Sequence, residues 1–94
     1  MRREKFRTGI YRLSNPLKGD FQGVEFPSGS KVFAMTKTFN GVPFTLIEGV
    51  VDGQVEQDLL RDPVQILMIV MSYIPCNIDF SNENIRLKEL LKED

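Results

Sequence analysis

The chain has no histidine, one cysteine and no long apolar run. Each shortage removes a class of function. Without histidine, Ser-His-Asp and Cys-His pairs and histidine-ligated metals are not internal options. Cys76 alone cannot build a disulfide framework, which fits a reducing cytosol. The longest apolar run, Ile66 to Met71, is far short of the roughly 20 residues that a membrane helix needs. The opening MRREKFRTGIYRL is basic, but no apolar run follows it, so it does not read as a secretory signal. Arg2 stands where myristoylation needs glycine. The expected setting is cytoplasmic, with no membrane contact.

Motifs that carry chemistry are equally scarce. Ser28 and Ser30 in PSGS lack the Gly-x-Ser-x-Gly frame of a nucleophile elbow. The GSK that overlaps this turn lacks the full Gly-x4-Gly-Lys-Ser/Thr pattern of a phosphate loop. No Asp-x-Asp-x-Asp-Gly run supplies a calcium loop. Glu48, Asp52, Glu56, Asp58 and Asp62 could pair for acid–base work, but they read as a solvated hairpin rim and a helix cap. Cys76 is expected at a helix C-terminus, where the dipole disfavours a thiolate. The expectation is a protein with no enzymatic activity, cofactor or metal.

What is present is one domain's worth of ordinary globular sequence, residues 1–94, 41% hydrophobic and 27% charged. That balance separates it from disordered chains. The formal net charge is -1, yet the signs are unevenly spread. The first 37 residues hold most of the basic side chains, whereas the stretch 38–62 is mainly acidic.

Two dipeptides organise the middle. Asn40-Gly41 and Asp52-Gly53 each sit between apolar runs, and type I′ hairpin turns need the positive φ that these pairs tolerate. The segment therefore predicts a meander of KVFAMTKTF, VPFTLIEGVV and QVEQDL. The first turn pairs Phe39 with Val42, Lys37 with Phe44 and Met35 with Leu46. One face then carries Phe33, Met35, Phe39, Val42, Phe44 and Leu46; the other carries Val32, Ala34, Ile47 and Val51. Pro43 fits this register if no strand pairs beside it, and the third strand is expected to reach only about Ile47. Upstream, TGIYRL and DFQGVEF read as two shorter strands, with SNPLKGD and PSGS as turns.

Five short strands with both faces partly apolar suggest a sheet that curls on itself. The expected fold is α+β: a five-stranded antiparallel, partly open SH3-like or OB-like barrel over 8–58, followed by two C-terminal helices. A basic, mobile arm is expected over 1–7. Asp62 before Pro63 marks the start of an apolar helix over 62–74, with Pro75 just past its end; a buried strand over 64–74 is the competing reading, since Val and Ile are frequent there, but the Asp-Pro start and the Leu-Met-Met content favour the helix. The tail SNENIRLKELLKED predicts an amphipathic helix over 81–93, with Ser81 as N-cap, Glu83 in the first turn and Phe80 stapled onto Ile85.

On the first helix, Gln65, Ile69 and Ser72 fall on a thin polar stripe beside Met68, and both flanks are apolar. Methionine is over-used at adaptable contact surfaces. Gln65, Met68, Ile69 and Ser72 are therefore the expected contact residues for a partner protein or an identical chain. A compact chain with no catalytic set would suit a viral or mobile-element accessory factor that binds a host protein. The alternative is single-stranded nucleic-acid binding through Arg2, Arg3, Lys5, Arg7 and Arg12, interleaved with Phe6 and Tyr11. The slightly acidic whole weighs against it.

Overall fold

The computed structural model describes residues 7–61 and 71–92. Strands β1 (Gly9–Leu13), β4 (Lys31–Phe39), β5 (Val42–Val51), β6 (Gln54–Leu60) and β7 (Met71–Ile74) form one antiparallel sheet in the order β6-β5-β4-β1-β7. The short strands β2 (Leu17–Lys18) and β3 (Glu25–Phe26) make a separate two-stranded ribbon. One helix, α1 (Glu83–Leu91), completes the described residues.

The central meander follows from its turns. Asn40 and Gly41 adopt φ of 50° and 80°, and Asp52 and Gly53 adopt 52° and 79°. These are left-handed angles, as a type I′ turn requires. The closing pairs Phe39↔Val42 and Val51↔Gln54 set the whole register, including Lys37↔Phe44 and Met35↔Leu46. β6 runs two pairs further than expected, to Thr45↔Leu60. Pro43 still lies beyond that last pair, where its missing N–H costs no ladder bond.

Alternation sends apolar side chains to both faces of this sheet, and each face has its own cover. On one side Tyr11, Val32, Ala34, Ile47 and Leu60 pack beneath Leu17 and Phe26 of the ribbon. On the other, Ile10 and Phe33 pack beneath Leu90, with Leu87 and Phe80 beside them. The architecture is thus ribbon, sheet, helix. An open sheet that is apolar on both faces needs two layers over it.

Several expectations are corrected here. The sheet does not close into a barrel: β6 and β7 are its opposite edges. DFQGVEF contributes only Glu25–Phe26 as strand; the rest is the loop that enters the ribbon. Of the expected helix over 62–74, the described part Met71–Ile74 is a strand, which pairs with β1 through Tyr11↔Tyr73 and Leu13↔Met71. Its alternating side chains suit a sheet: Met71 and Tyr73 join one core, Ile74 the other. Residues 62–70 lie outside the described residues. One helix, not two, is found among those described.

α1 starts at Asn82, not Ser81. The Ser81 hydroxyl donates to Asp79 Oδ1 at 2.6 Å, so it is spent in a turn that also holds the Asp79 carboxyl below its usual range. Asn82 Oδ1 accepts from Ile85 N at 3.2 Å instead. Phe80 stacks on Phe33, with centroids 5.8 Å apart. At the far end, Lys31 Nζ donates to the Glu89 and Lys92 carbonyls, at 2.9 and 2.6 Å. A cation on those last carbonyls also complements the helix dipole.

Thr45 is fully buried, and its hydroxyl has no hydrogen-bond partner among the described residues. An unsatisfied buried hydroxyl costs about 1–3 kcal/mol. Thr45→Val removes the oxygen and keeps the branched shape. The variant is expected to match or exceed the parent in thermal midpoint; a clear fall would show that the hydroxyl is satisfied in solution.

Candidate docking surface

Among the described residues the helix side of the sheet is only half covered, for reasons of length. α1 has nine residues, about 14 Å of helix. β4 and β5 have nine and ten, roughly 30 Å of strand. Leu87 and Leu90 cover the half near Ile10, Phe33 and Val50. Beyond Phe33 the face continues with Met35, Leu46 and Leu59, only half-buried, and ends with Phe39 and Val42 in solvent. A groove of ≈ 820 Å³ opens there, floored by the sheet and walled by Phe80, Ser81 and Arg86.

Phe21 and Phe39 line its outer end, and Phe44 packs against both. The Phe44 ring meets Phe21 edge-on at 5.4 Å and Phe39 at 5.8 Å. The Arg61 guanidinium lies 4.8 Å from the Phe21 ring centre. Even so, Phe21 is 50% exposed and Phe39 44%. Aromatic rings that touch one another but stay half in water are what a partner surface can still bury.

Phe21 is held in place by a buried carboxylate. Asp58 on β6 accepts from Phe21 N at 3.1 Å, Gln22 N at 3.0 Å, Val24 N at 2.9 Å and Leu59 N at 2.8 Å. Burial pushes the Asp58 carboxyl up, but the four backbone N–H groups outweigh it and hold the group below its usual range. Gly19 makes the approach feasible: a Cβ there would fall 2.1 Å from the Asp58 carboxyl. Asp20 N also donates to Leu59 O at 2.9 Å, tying the loop along the β6 edge.

A second buried acid anchors Arg86, at the inner wall of the groove. Glu48 is 1% exposed and faces Arg86, with Nε to Oε1 at 3.1 Å. Gln57 Nε2 donates to Glu48 Oε2 at 2.8 Å. Arg86 also donates to the Phe80 carbonyl at 2.7 Å and lies 4.6 Å from the Phe33 ring centre. Both charges are paired and hydrogen-bonded, as burial demands.

The expected solvated acidic rim is therefore half wrong. Glu48 and Asp58 are core groups, whereas Asp52 is exposed and Glu56 half-buried; Asp62 lies outside the described residues. Glu48 shares the helix face with its cross-strand partner Phe33, and Asp58 shares the ribbon face with its partner Ile47. The two side chains thus leave the sheet on opposite faces. Among the described residues no group of three acidic or cysteine side chains gathers to hold a metal.

Of the other expected site residues, Ser72, Arg7 and Arg12 are among those described. Gln65, Met68 and Ile69 lie outside the described residues. Ser72, expected on a helix, is an exposed residue of β7 opposite Arg12. Arg2, Arg3 and Lys5 also lie outside. Arg7 packs its guanidinium 4.5 Å from the Tyr73 ring centre, and Arg12 donates to the Gly29 carbonyl at 2.6 Å. Cys76 follows a strand, not a helix end, and packs against the core that holds Phe33. Burial, and then the nearby Glu89 charge, push its thiol pKa up, which favours the protonated, unreactive form.

Among the described residues no helix is long and apolar enough to cross a membrane. No protein-family model matches the chain, and neither the curated proteins nor the solved structures contain a match.

Proposed function

We propose that the chain is a small non-enzymatic protein-binding module whose contact surface is the uncovered half of the helix-side sheet face. One observation carries this reading: Phe21, Phe39 and Phe44 are fixed against one another yet left partly in solvent beside a groove. Large aromatic side chains on a rigid frame are the usual anchors of protein interfaces.

Phe39→Thr keeps a strand-forming residue and removes an exposed ring. It is expected to change stability by less than about 1 kcal/mol and to weaken a purified partner at least about tenfold, a typical hot-spot loss. The partner is first identified by capture from the source cells with the wild-type chain, then measured by calorimetry. A partner that binds wild type and Phe39→Thr equally places the interface elsewhere. A monomer that retains no specific partner removes the reading.

Single-strand binding through the basic start has less support. Of its five arginines and lysines, the two described ones are engaged with Tyr73 and with the Gly29 carbonyl. A salt titration against single-stranded oligonucleotides tests it, since phosphate contacts weaken steeply with salt.

A further inference from the structure

The β4–β5 hairpin outruns both neighbours. β1 stops pairing with β4 at Gly9↔Ala34, and β6 stops pairing with β5 at Thr45↔Leu60. The hairpin continues to Phe39↔Val42. Among the described residues its outer part has two free edges, and they differ. On β5 the backbone position that points away from β4 is Pro43, which has no N–H to offer. On β4 the edge is intact. Leu13 N donates to Ser30 O at 3.0 Å, so alternation turns the even-numbered residues of β4 toward β1. Past Ala34 those residues are Thr36 and Thr38, both exposed. Each presents an outward N–H and C=O. Met35, Lys37 and Phe39 project between them on the groove side.

Resting on the protein-binding reading above, we propose that this edge of β4 takes an extended segment of a partner protein as an added strand. The segment carries an acidic residue opposite Lys37 and apolar residues two positions to either side, against Met35 and Phe39. Main-chain bonds to Thr36 and Thr38 supply affinity, and alternate side chains supply the choice of partner. Charge selects the occupant. Among the described residues no ion pair engages Lys37. A second copy is a poor occupant, because only one two-fold antiparallel register uses both threonines of each chain. That register pairs Thr36 with Thr38 and sets Lys37 directly against Lys37, in the close non-bonded pair where like charges repel. A foreign strand with a carboxylate at that point gains what the self-pair loses.

The test uses the full chain and a labelled pentapeptide, Ile-Thr-Glu-Thr-Ile, which spans Met35 to Phe39 and stops short of the Gly9↔Ala34 pair, followed by fluorescence polarisation. Binding is expected at roughly submillimolar concentration, typical of a short single segment. Replacing the central Glu by Lys should weaken it at least about tenfold, and Lys37→Glu should invert that preference. Thr38→Pro removes an outward N–H without touching the β5 ladder and should abolish binding. If that variant does not fold, a peptide N-methylated on both sides of its central Glu makes the same cut from the other side. A peptide that fails to bind, binds regardless of central charge, or binds Thr38→Pro as well as wild type overturns strand addition. A natural partner that needs Phe39 but ignores Thr38→Pro would overturn it too, while leaving the docking reading intact; loss of the Phe39 dependence would remove both.

Discussion

Asp58→Ala is expected to cost about 4 kcal/mol, a large share of the roughly 5–15 kcal/mol that holds a domain together. The carboxylate is 3% exposed and accepts from four backbone N–H groups, three of them in the loop from Phe21 to Val24. Alanine leaves those donors facing a space that a side chain had filled. Asp58→Asn should recover little, because its amide places a donor against donors. Urea unfolding gives the difference, and the Phe21 wall of the groove should loosen with it.

The same clamp fixes a pH dependence. The folded Asp58 pKa lies below its unfolded value, so the folded state binds this proton less readily than the unfolded one. Its contribution is fully present above the unfolded pKa of about 3.9 and is lost as pH falls through the folded value. The stability gap between wild type and Asp58→Ala should therefore be constant near neutrality and narrow in acid. A gap that does not change between pH 7 and pH 2 would mean that the carboxylate is not the source of the stabilisation.

Arg86→Met is the second large effect, about 3–5 kcal/mol, because it strands the Glu48 charge in the core. Glu48→Met strands the guanidinium in the same way. The double variant should recover most of the loss, since apolar residues of similar volume often replace a buried pair at little cost. Gln57 is exposed and can turn its amide to water. A double-mutant cycle on thermal or urea midpoints measures the coupling. Additive losses would show that the two charges are not coupled in solution.

Both buried acids were within reach of sequence reasoning. The Asn-Gly turn fixes the β4–β5 register, and that register puts Glu48 opposite Phe33 on an apolar face. The Asp-Gly turn likewise puts Asp58 opposite Ile47. An acid at the centre of an apolar face is a demand for a partner. What the chain order could not supply was the partner's identity: Arg86 sits on α1, far along the chain, and the donors to Asp58 are backbone groups of a loop without sequence signature. Composition pulled the other way, because acidic residues are mostly solvated.

The same limit explains the strand at Met71–Ile74. Asp62-Pro63 reads as a helix start and Leu-Met-Met as helix formers, and local propensity carried the expectation. Pairing with β1 decided otherwise, and that is a contact with residues some sixty positions earlier. Two apolar faces were correctly read from the meander, but a curling sheet and a two-sided sheet have the same alternation. Only the ribbon and the helix, packed on opposite sides, distinguish them.

The walls of the groove are fastened by contacts within the chain itself. Asp58 ties down the loop that carries Phe21, while α1 is anchored by Arg86 at Glu48 and by Lys31 at its last carbonyls. Association with such a surface freezes little of this chain's own motion. If the proposed strand addition holds, the entropic penalty falls on the added segment, so stiffening it, for example by cyclisation, should lengthen the life of the complex more than any added contact on this side.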